Sequence, residues 1–135
     1  MTSTVRLPGS KSITNRALVC AALLEGTSTI TGALLADDTE AMVSCLQALG
    51  VRIEVDGTTM LVTGPPTWPE GAVLDARLSG TTSRFVLPIA AMGSTAVVVD
   101  GAPQLRARPV GPTLDALRAL GASVEGSSLP VTVRG

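Results

Sequence analysis

The chain has 135 residues and a mass of 13.6 kDa, with 45% apolar residues, 16% charged residues and a net charge of −1. It contains no histidine, which excludes a Ser-His-Asp or Cys-His hydrolase, an imidazole general base and a histidine-ligated metal centre within this chain. Two aromatic residues and a near-balanced charge provide neither a base-stacking surface nor a basic field, so we expect no nucleic acid partner.

No part of the sequence resembles a membrane segment or a secretory signal. The longest apolar run, 17–24, is far shorter than the ~20 residues that cross a bilayer. No basic region followed by an apolar stretch opens the chain. We therefore expect a cytoplasmic protein without membrane contact. Cys20 and Cys45 fall in apolar helical patterns, which favours buried structural thiols.

Taken in chain order, the periodicities alternate between helix and strand. Helices are predicted at about 12–25, 39–49, 81–92 and 109–120, and strands at about 28–34, 51–55, 59–63, 95–100, 122–125 and 130–134. The first and third helices open with Ser or Thr and end near Gly26 or Gly93, and Pro109 takes a first-turn position in the fourth. Residues 17–24 and 41–49 carry no charge, so we expect buried helices with sheets packed outside them.

An internal repeat organises these elements. The string Leu-x-Ala-Leu-Gly at 46–50 returns at 117–121, an offset of 71, and Asn15-Arg16 aligns with Ser83-Arg84 at an offset of 68. The repeat predicts one α/β domain over 1–135, made of two β-α-β-α-β-β units at about 10–64 and about 78–135. Two units shield only part of such apolar helices, so the chain is short for this architecture.

The string Pro-Gly-Ser-Lys-Ser precedes the first helix and is followed by Asn-Arg. Gly9 lets the backbone approach a ligand closely, and Lys11 adds positive charge beside the unpaired amides of a helix N-terminus. Ser12 and Arg16 share one helix face at i, i+4 spacing. These features predict a phosphate or carboxylate site, with a capped helix and solvated cations as the alternative. A nucleotide P-loop is not expected, because two glycines that it requires are absent.

The loop before the third helix repeats this design. Gly80 takes the place of Ser12, Arg84 takes the place of Arg16, and Thr81 is the predicted helix cap. Because the two helices are related by the repeat, we expect their N-termini to face a shared region.

A third cluster precedes the fourth helix. Arg106 and Arg108 flank an alanine there, and arginine can bind a carboxylate or phosphate through two parallel hydrogen bonds. Surface arginines are common in such loops, and a solvated role is the prediction for Arg106. The counterpart in the first unit is acidic, and Asp37 and Asp38 are expected to cap the second helix.

Together these strings resemble the EPSP synthase family, the 3-phosphoshikimate 1-carboxyvinyltransferases. The resemblance lies in Pro-Gly-Ser-Lys-Ser-x-x-Asn-Arg at 8–16, Asp-Asp-Thr at 37–39, Gly80-Thr81 with Arg84, and Arg108-Pro109 with Leu-Asp-Ala-Leu at 114–117. It runs along essentially all of the chain and corresponds to the N-terminal third of the family's enzymes.

The resemblance implies transfer of the enolpyruvyl group of phosphoenolpyruvate to the 5-hydroxyl of shikimate 3-phosphate, with release of phosphate. This is a step of the shikimate pathway of aromatic amino acid biosynthesis, and no metal or redox cofactor is implied. By the same resemblance, Lys11 is catalytic and contacts both substrates. Ser12 and Arg16 bind shikimate 3-phosphate. Gly80 and Arg108 bind phosphoenolpyruvate, and Arg84 lies close by.

The family fold implied by the resemblance has two lobes of three β-α-β-α-β-β units each, an inside-out α/β barrel with the active site between the lobes. This chain would supply two of the three units of one lobe, without the first strand. The acidic residues associated with proton transfer lie in the part that the chain does not match. We therefore expect the full-length enzyme to be a monomer, and the isolated chain to be inactive and to self-associate through exposed helix faces.

Two alternatives remain open. UDP-N-acetylglucosamine enolpyruvyl transferases share the fold, but they typically have Asn in place of Ser12 and a Cys on a mobile loop, whereas Cys20 and Cys45 lie in predicted helices. The other alternative is a non-catalytic anion-binding module that has kept the α/β repeat.

Overall fold

The computed structural model describes all residues from 1 to 135. Its helices are α1 (Lys11–Leu23), α2 (Asp37–Ala48), α3 (Gly80–Ala90), α4 (Pro103–Arg106) and α5 (Gly111–Ala119). Its strands are β1 (Gly26–Ile30), β2 (Arg52–Asp56), β3 (Thr59–Gly64), β4 (Val73–Asp75), β5 (Val97–Asp100), β6 (Ser123–Glu125) and β7 (Val131–Arg134). The longest helix has 13 residues, and none has the length and apolarity needed to cross a membrane.

The strands form two separate sheets with related topology. The first has the order β1-β3-β2, in which both neighbours run antiparallel to β3. The second has the order β4-β5-β7-β6, in which β5 and β6 run antiparallel to β7 and β4 runs parallel to β5. The second sheet thus repeats the first and adds β4. Residues 1–9 form no strand, so β1 has no counterpart of β4 beside it.

Alternating burial determines which face of each sheet meets the helices. In β3, Met60 and Val62 are fully buried while Leu61 between them is exposed, as expected for a strand with one covered face. Helix α2 contacts α1, α3 and β4, and Met42 and Leu46 on it are fully inaccessible to solvent. The predicted arrangement, with apolar helices inside and sheets packed against them, is confirmed.

The starts of α1 and α3 differ from the prediction by one residue, and their caps differ by two. Ser10 and Ser79 are the N-caps, and their side chains accept hydrogen bonds from the amides of Ile13 (3.3 Å) and Thr82 (3.0 Å). Neither helix therefore uses its predicted opening residue, at 12 or 81, as a cap. The caps lie 69 positions apart, so Gly80 is equivalent to Lys11 and Arg84 to Asn15. The predicted pairing of Gly80 with Ser12 and of Arg84 with Arg16 is therefore wrong by one position.

The predicted boundaries of two elements are wrong. The strand expected at about 28–34 spans Gly26–Ile30, because its pairing with β3 begins at the Gly26 and Gly64 pair. The helix expected from Pro109 begins at Gly111, and its first-turn proline is Pro112. Ahead of it lies the short α4, which the prediction missed, and β4 lies before residue 78, where the sequence places the second unit.

The two cysteines differ in environment. Cys45 on α2 is buried, and burial raises the pKa of its thiol to about 12. Cys20 on α1 is exposed, so the prediction of a buried thiol is wrong there. It falls on a face of α1 that no other element covers.

Candidate active site

The N-terminus of α1 is held in place without a hydrogen bond from the Ser12 side chain. Thr14 donates from Oγ1 to the Ser10 carbonyl (2.8 Å) and accepts from the Leu34 amide (3.1 Å), which ties α1 to the loop after β1. Since Ser10 is the cap, the exposed Ser12 side chain takes no part in holding the helix start. Its hydroxyl remains available to a ligand.

Lys11 and Asp38 join α1 to α2. The Lys11 Nζ lies 2.8 Å from Asp38 Oδ2, and the two side chains are 52% and 26% exposed. Asp37 and Asp38 are the first two residues of α2, and neither carboxylate caps it, contrary to the prediction. The hydrogen bond at the helix start comes instead from Thr39, whose Oγ1 accepts from the Ala36 amide at 2.9 Å.

Asp38 also contacts the N-terminus of α3. Its carbonyl accepts a hydrogen bond from Thr82 Oγ1 (3.0 Å), and Thr82 Oγ1 in turn accepts from the cap residue Ser79 (2.8 Å). Because Asp38 bonds Lys11 through its carboxylate and Thr82 through its carbonyl, one residue holds the N-termini of α1 and α3 together. The structure therefore brings the two repeated helix ends to one region, as predicted.

Two guanidinium groups flank Gly80 at the start of α3. A Cβ on Gly80 would lie 3.0 Å from Arg84 Nη1 and 3.3 Å from Arg108 Nη1. Arg84 donates to the Gly80 carbonyl (3.3 Å) and to the Pro109 carbonyl ahead of α5 (3.4 Å). The absence of a side chain at position 80 thus leaves a bare backbone between two cations, an arrangement suited to a phosphate or carboxylate.

Arg16 links the two halves of this region. Its Nη1 donates to the Ser12 carbonyl (3.1 Å), and its Cζ lies 5.5 Å from the ring centre of Phe85 on α3. Phe85 directly follows Arg84 in the sequence. The same turn of α3 therefore carries the guanidinium beside Gly80 and the ring that contacts Arg16. The motif residue Asn15 is buried, and neither polar atom of its amide has a protein partner.

Arg106 lies outside this cluster. It forms a two-point pair with Asp100 at the end of β5, Nε to Oδ1 at 2.9 Å and Nη2 to Oδ2 at 2.8 Å. Asp100 Oδ1 also accepts from the Gly101 amide, and hydrogen bonding to Arg106 holds the pKa of the Asp100 carboxyl below its ordinary value. Arg106 therefore has an intramolecular partner and stabilises the turn that leads into α4.

The cationic cluster is not a deep cavity in this chain. Two open concavities of about 390 Å³ lie elsewhere, one over β6 and β7 beside Glu125 and one beside the ends of α3 and α5, near Met92 and Leu120. Neither is lined by any of the predicted site residues. The structure contains no cluster of three or more Cys, Asp or Glu side chains that could hold a metal ion.

Sequence reasoning found the cations but missed the residues that hold them together. Neither Thr82 nor Phe85 is assigned a role from the sequence, and Asp38 is expected as a helix cap within one of the strings that resemble the family. Phe85 carried one available signal, since it is the only phenylalanine of the chain and directly follows a predicted site arginine. The bond from Thr82 to Asp38 spans 44 positions and leaves no local pattern.

The family model for EPSP synthase (3-phosphoshikimate 1-carboxyvinyltransferase) matches residues 1–135. The chain belongs to this family. A 3-phosphoshikimate 1-carboxyvinyltransferase from Mycobacterium ulcerans (strain Agy99) is 47% identical over 137 aligned positions, which cover 98% of this chain.

Solved structures agree with this assignment. Two structures of EPSP synthase from Acinetobacter baumannii, each 26% identical, superpose on 97% of the chain with TM-scores of 0.83 and 0.80. The chain spans only part of each relative: 32% of the mycobacterial enzyme and 31% and 32% of the two solved chains.

Proposed function

We propose that this chain forms a substrate-binding part of a 3-phosphoshikimate 1-carboxyvinyltransferase. The reaction would transfer the enolpyruvyl group of phosphoenolpyruvate to the 5-hydroxyl of shikimate 3-phosphate and release phosphate. The observation that carries the proposal is the double role of Asp38, which holds two cation-bearing helix N-termini against each other. Two adjacent anion sites suit a reaction whose two substrates are both phosphorylated carboxylates.

Each site accounts for one substrate. Ser12 and Arg16 on α1 would hold shikimate 3-phosphate, since a free hydroxyl and a guanidinium lie on one helix face. Gly80 and Arg108 would hold phosphoenolpyruvate, with Arg84 beside them. The close approach of both guanidinium groups to the Gly80 backbone supports this second assignment.

Lys11 would act in catalysis because it lies at the border of the two sites. Its ammonium group pairs with Asp38, the residue that also contacts the N-terminus of α3. A fixed positive charge there would contact both substrates and stabilise negative charge that develops as phosphate leaves. No metal or redox cofactor enters this account.

The chain alone would not complete the reaction. The acidic residues that the family uses for proton transfer belong to a part that the chain does not match, and the relatives are about three times longer. The two units proposed at about 10–64 and 78–135 also leave apolar surface uncovered. Leu49 is 0% exposed, whereas Leu120, its counterpart in the repeat, is 85% exposed. We infer that the isolated chain self-associates there, that the full-length enzyme is a monomer, and that both are cytoplasmic.

Calorimetry on the 135-residue chain tests the proposed substrates. Shikimate 3-phosphate should bind, and shikimate without its phosphate should bind much more weakly. Arg16→Gln should weaken binding by about tenfold or more, because a charge-assisted pair is worth about 1.5–3 kcal/mol. Arg52→Gln, which changes an exposed arginine on β2, should not.

The same titrations distinguish the alternatives. A preference for UDP-N-acetylglucosamine over shikimate 3-phosphate would identify the sister transferase. Equal weak binding of all phosphate esters would indicate an anion-binding module, and no binding of any of them would contradict the proposal.

A further inference from the structure

Arg16 reaches from α1 to a half-buried side chain of α3. Its Cζ lies 5.5 Å from the ring centre of Phe85, in the only cation-π contact of the structure. No carboxylate lies within 4.0 Å of its guanidinium, whereas Lys11 and Arg106 each pair with an aspartate. Among its ion pairs, hydrogen bonds and cation-π contacts, the Phe85 ring is therefore the only side-chain partner of this arginine, and it attracts the cation without occupying its hydrogen-bond donors.

We propose that Phe85 is a positioning residue for Arg16. The Phe85 ring holds the Arg16 guanidinium beside Ser12, in the orientation that receives the phosphate of the substrate. This inference rests on the proposed function, because it concerns the residue assigned there to shikimate 3-phosphate.

The surroundings of Phe85 explain why its ring can serve as a support. The ring packs against the hydrophobic core, and its helix is anchored at the N-terminus by Ser79 and by the bond from Thr82 to Asp38. A flexible arginine loses rotamer entropy when it binds an anion, and part of that loss is removed if the side chain is already restrained. Here the restraint comes from two sides, the Phe85 ring and the Ser12 carbonyl.

The contact also couples the two candidate sites. Arg84, the residue before Phe85, donates to the Gly80 carbonyl at the start of the same helix. A shift of this turn of α3 would therefore move the support of Arg16 and the guanidinium beside Gly80 together. Phe85 thus sets the geometry of the first site from the helix that forms the second.

A double-mutant cycle on the 135-residue chain tests the proposal, with inorganic phosphate as the probe. Phe85→Leu should weaken phosphate binding about two- to fivefold, the range expected for an exposed cation-π contact. Phe85→Tyr, which keeps the aromatic face, should stay within about twofold of the parent chain. In an Arg16→Gln background, Phe85→Leu should have no further effect. A role in packing alone predicts the opposite, an equal loss with and without Arg16.

The Arg16 side chain gives a second readout that does not depend on affinity. Its Nε–Hε signal in NMR spectra, assigned with Arg16→Lys, should shift when the ring is removed by Phe85→Leu and remain in place in Phe85→Tyr. Phe85→Met preserves apolar volume without the aromatic face and replaces Phe85→Leu if that variant unfolds. An unchanged Arg16 signal in both aliphatic variants would overturn the proposal.

The outcomes separate this inference from the proposed function. If phosphate binding shows the coupling but shikimate 3-phosphate binds no better than phosphate, only the proposed function fails. If Arg16→Gln weakens shikimate 3-phosphate binding and Phe85→Leu does not, only the positioning role fails. A parent chain whose Arg16 signal does not respond to phosphate contradicts both.

Discussion

The carboxylate of Asp38 lies 2.8 Å from the ammonium group of Lys11, and the carbonyl of the same residue accepts a hydrogen bond from Thr82. One residue thus connects the ends of three helices. The ion pair is half-exposed, so it contributes less than about 1 kcal/mol to stability. Its main effect is on charge, because it partly neutralises a cation at the border of the two proposed anion sites.

Asp38→Asn should therefore strengthen phosphate binding. The substitution removes a negative charge near the site and leaves the backbone bond to Thr82 in place. The expected gain is about two- to tenfold at low salt and smaller at high salt. Titration with inorganic phosphate measures it, with Asp56→Asn on β2 as the control. Unchanged or weaker binding would show that the Asp38 charge does not oppose the ligand.

Gly80→Ala should weaken phosphoenolpyruvate binding with little loss of fold stability. The added methyl would lie 3.0 Å from the Arg84 guanidinium and 3.3 Å from that of Arg108, so both must move away from the backbone. Arginine head groups can move at small cost, whereas the geometry of the anion site changes. Calorimetry and urea unfolding, followed through the single Trp68, measure the two effects separately. Affinity that stays constant would contradict the assignment of Gly80.

Gly64→Ala should destabilise the fold. A Cβ there would lie 2.1 Å from the Ala22 carbonyl oxygen and 2.8 Å from that of Leu24, so backbone must shift. Overpacking of this kind costs about 1–3 kcal/mol. Gly111→Ala is the matched control, since its Cβ would meet nothing within 4 Å, and it should be neutral or stabilising by up to about 1 kcal/mol. Equal unfolding midpoints for the two variants would contradict the close approach of β3 to the end of α1.

The Asp100–Arg106 pair should make the stability of the fold depend on pH in the acidic range. The pair holds the pKa of Asp100 below its ordinary value of about 3.9, so its contribution is fully present above that value. It is lost as pH falls through the lowered pKa. The parent chain should therefore be more stable than Asp100→Asn at neutral pH, and this difference should shrink in acid. Asp115→Asn, which changes a more exposed carboxylate, is the control. A constant difference between pH 7 and about pH 2 would contradict the linkage.

The positions of the candidate site residues were easier to predict than the contacts between them. Lys11 and Gly80 could be placed at helix starts because glycine, serine and lysine precede clear apolar periodicities. The helix opening was predicted at Ser12 because serines at 10 and 12 both qualify, whereas in the structure Ser10 accepts from the Ile13 amide and is the cap. The contact of Arg16 with Phe85 joins residues 69 positions apart, and no local periodicity reports it.

Two small elements escaped prediction for different reasons. Helix α4 has a proline, Pro103, at its first position, which is a helix-start signal in the sequence, but the helix is only four residues long. Strand β4 has only three residues, too few for an alternating pattern, and it is defined by its parallel pairing with β5. Helix α5 starts later than predicted, at Gly111, with Pro112 in its first turn.

We propose that the N-termini of α1 and α3 form one region that binds two phosphorylated substrates. NMR titration of the ¹⁵N-labelled chain can locate both ligands residue by residue. Shikimate 3-phosphate should shift the amide signals of Ser12 and Arg16, phosphoenolpyruvate should shift those of Gly80 and Arg84, and each should shift the signals of Lys11. Shifts confined to the β6 and β7 concavity, or a Lys11 that responds to neither ligand, would contradict the account.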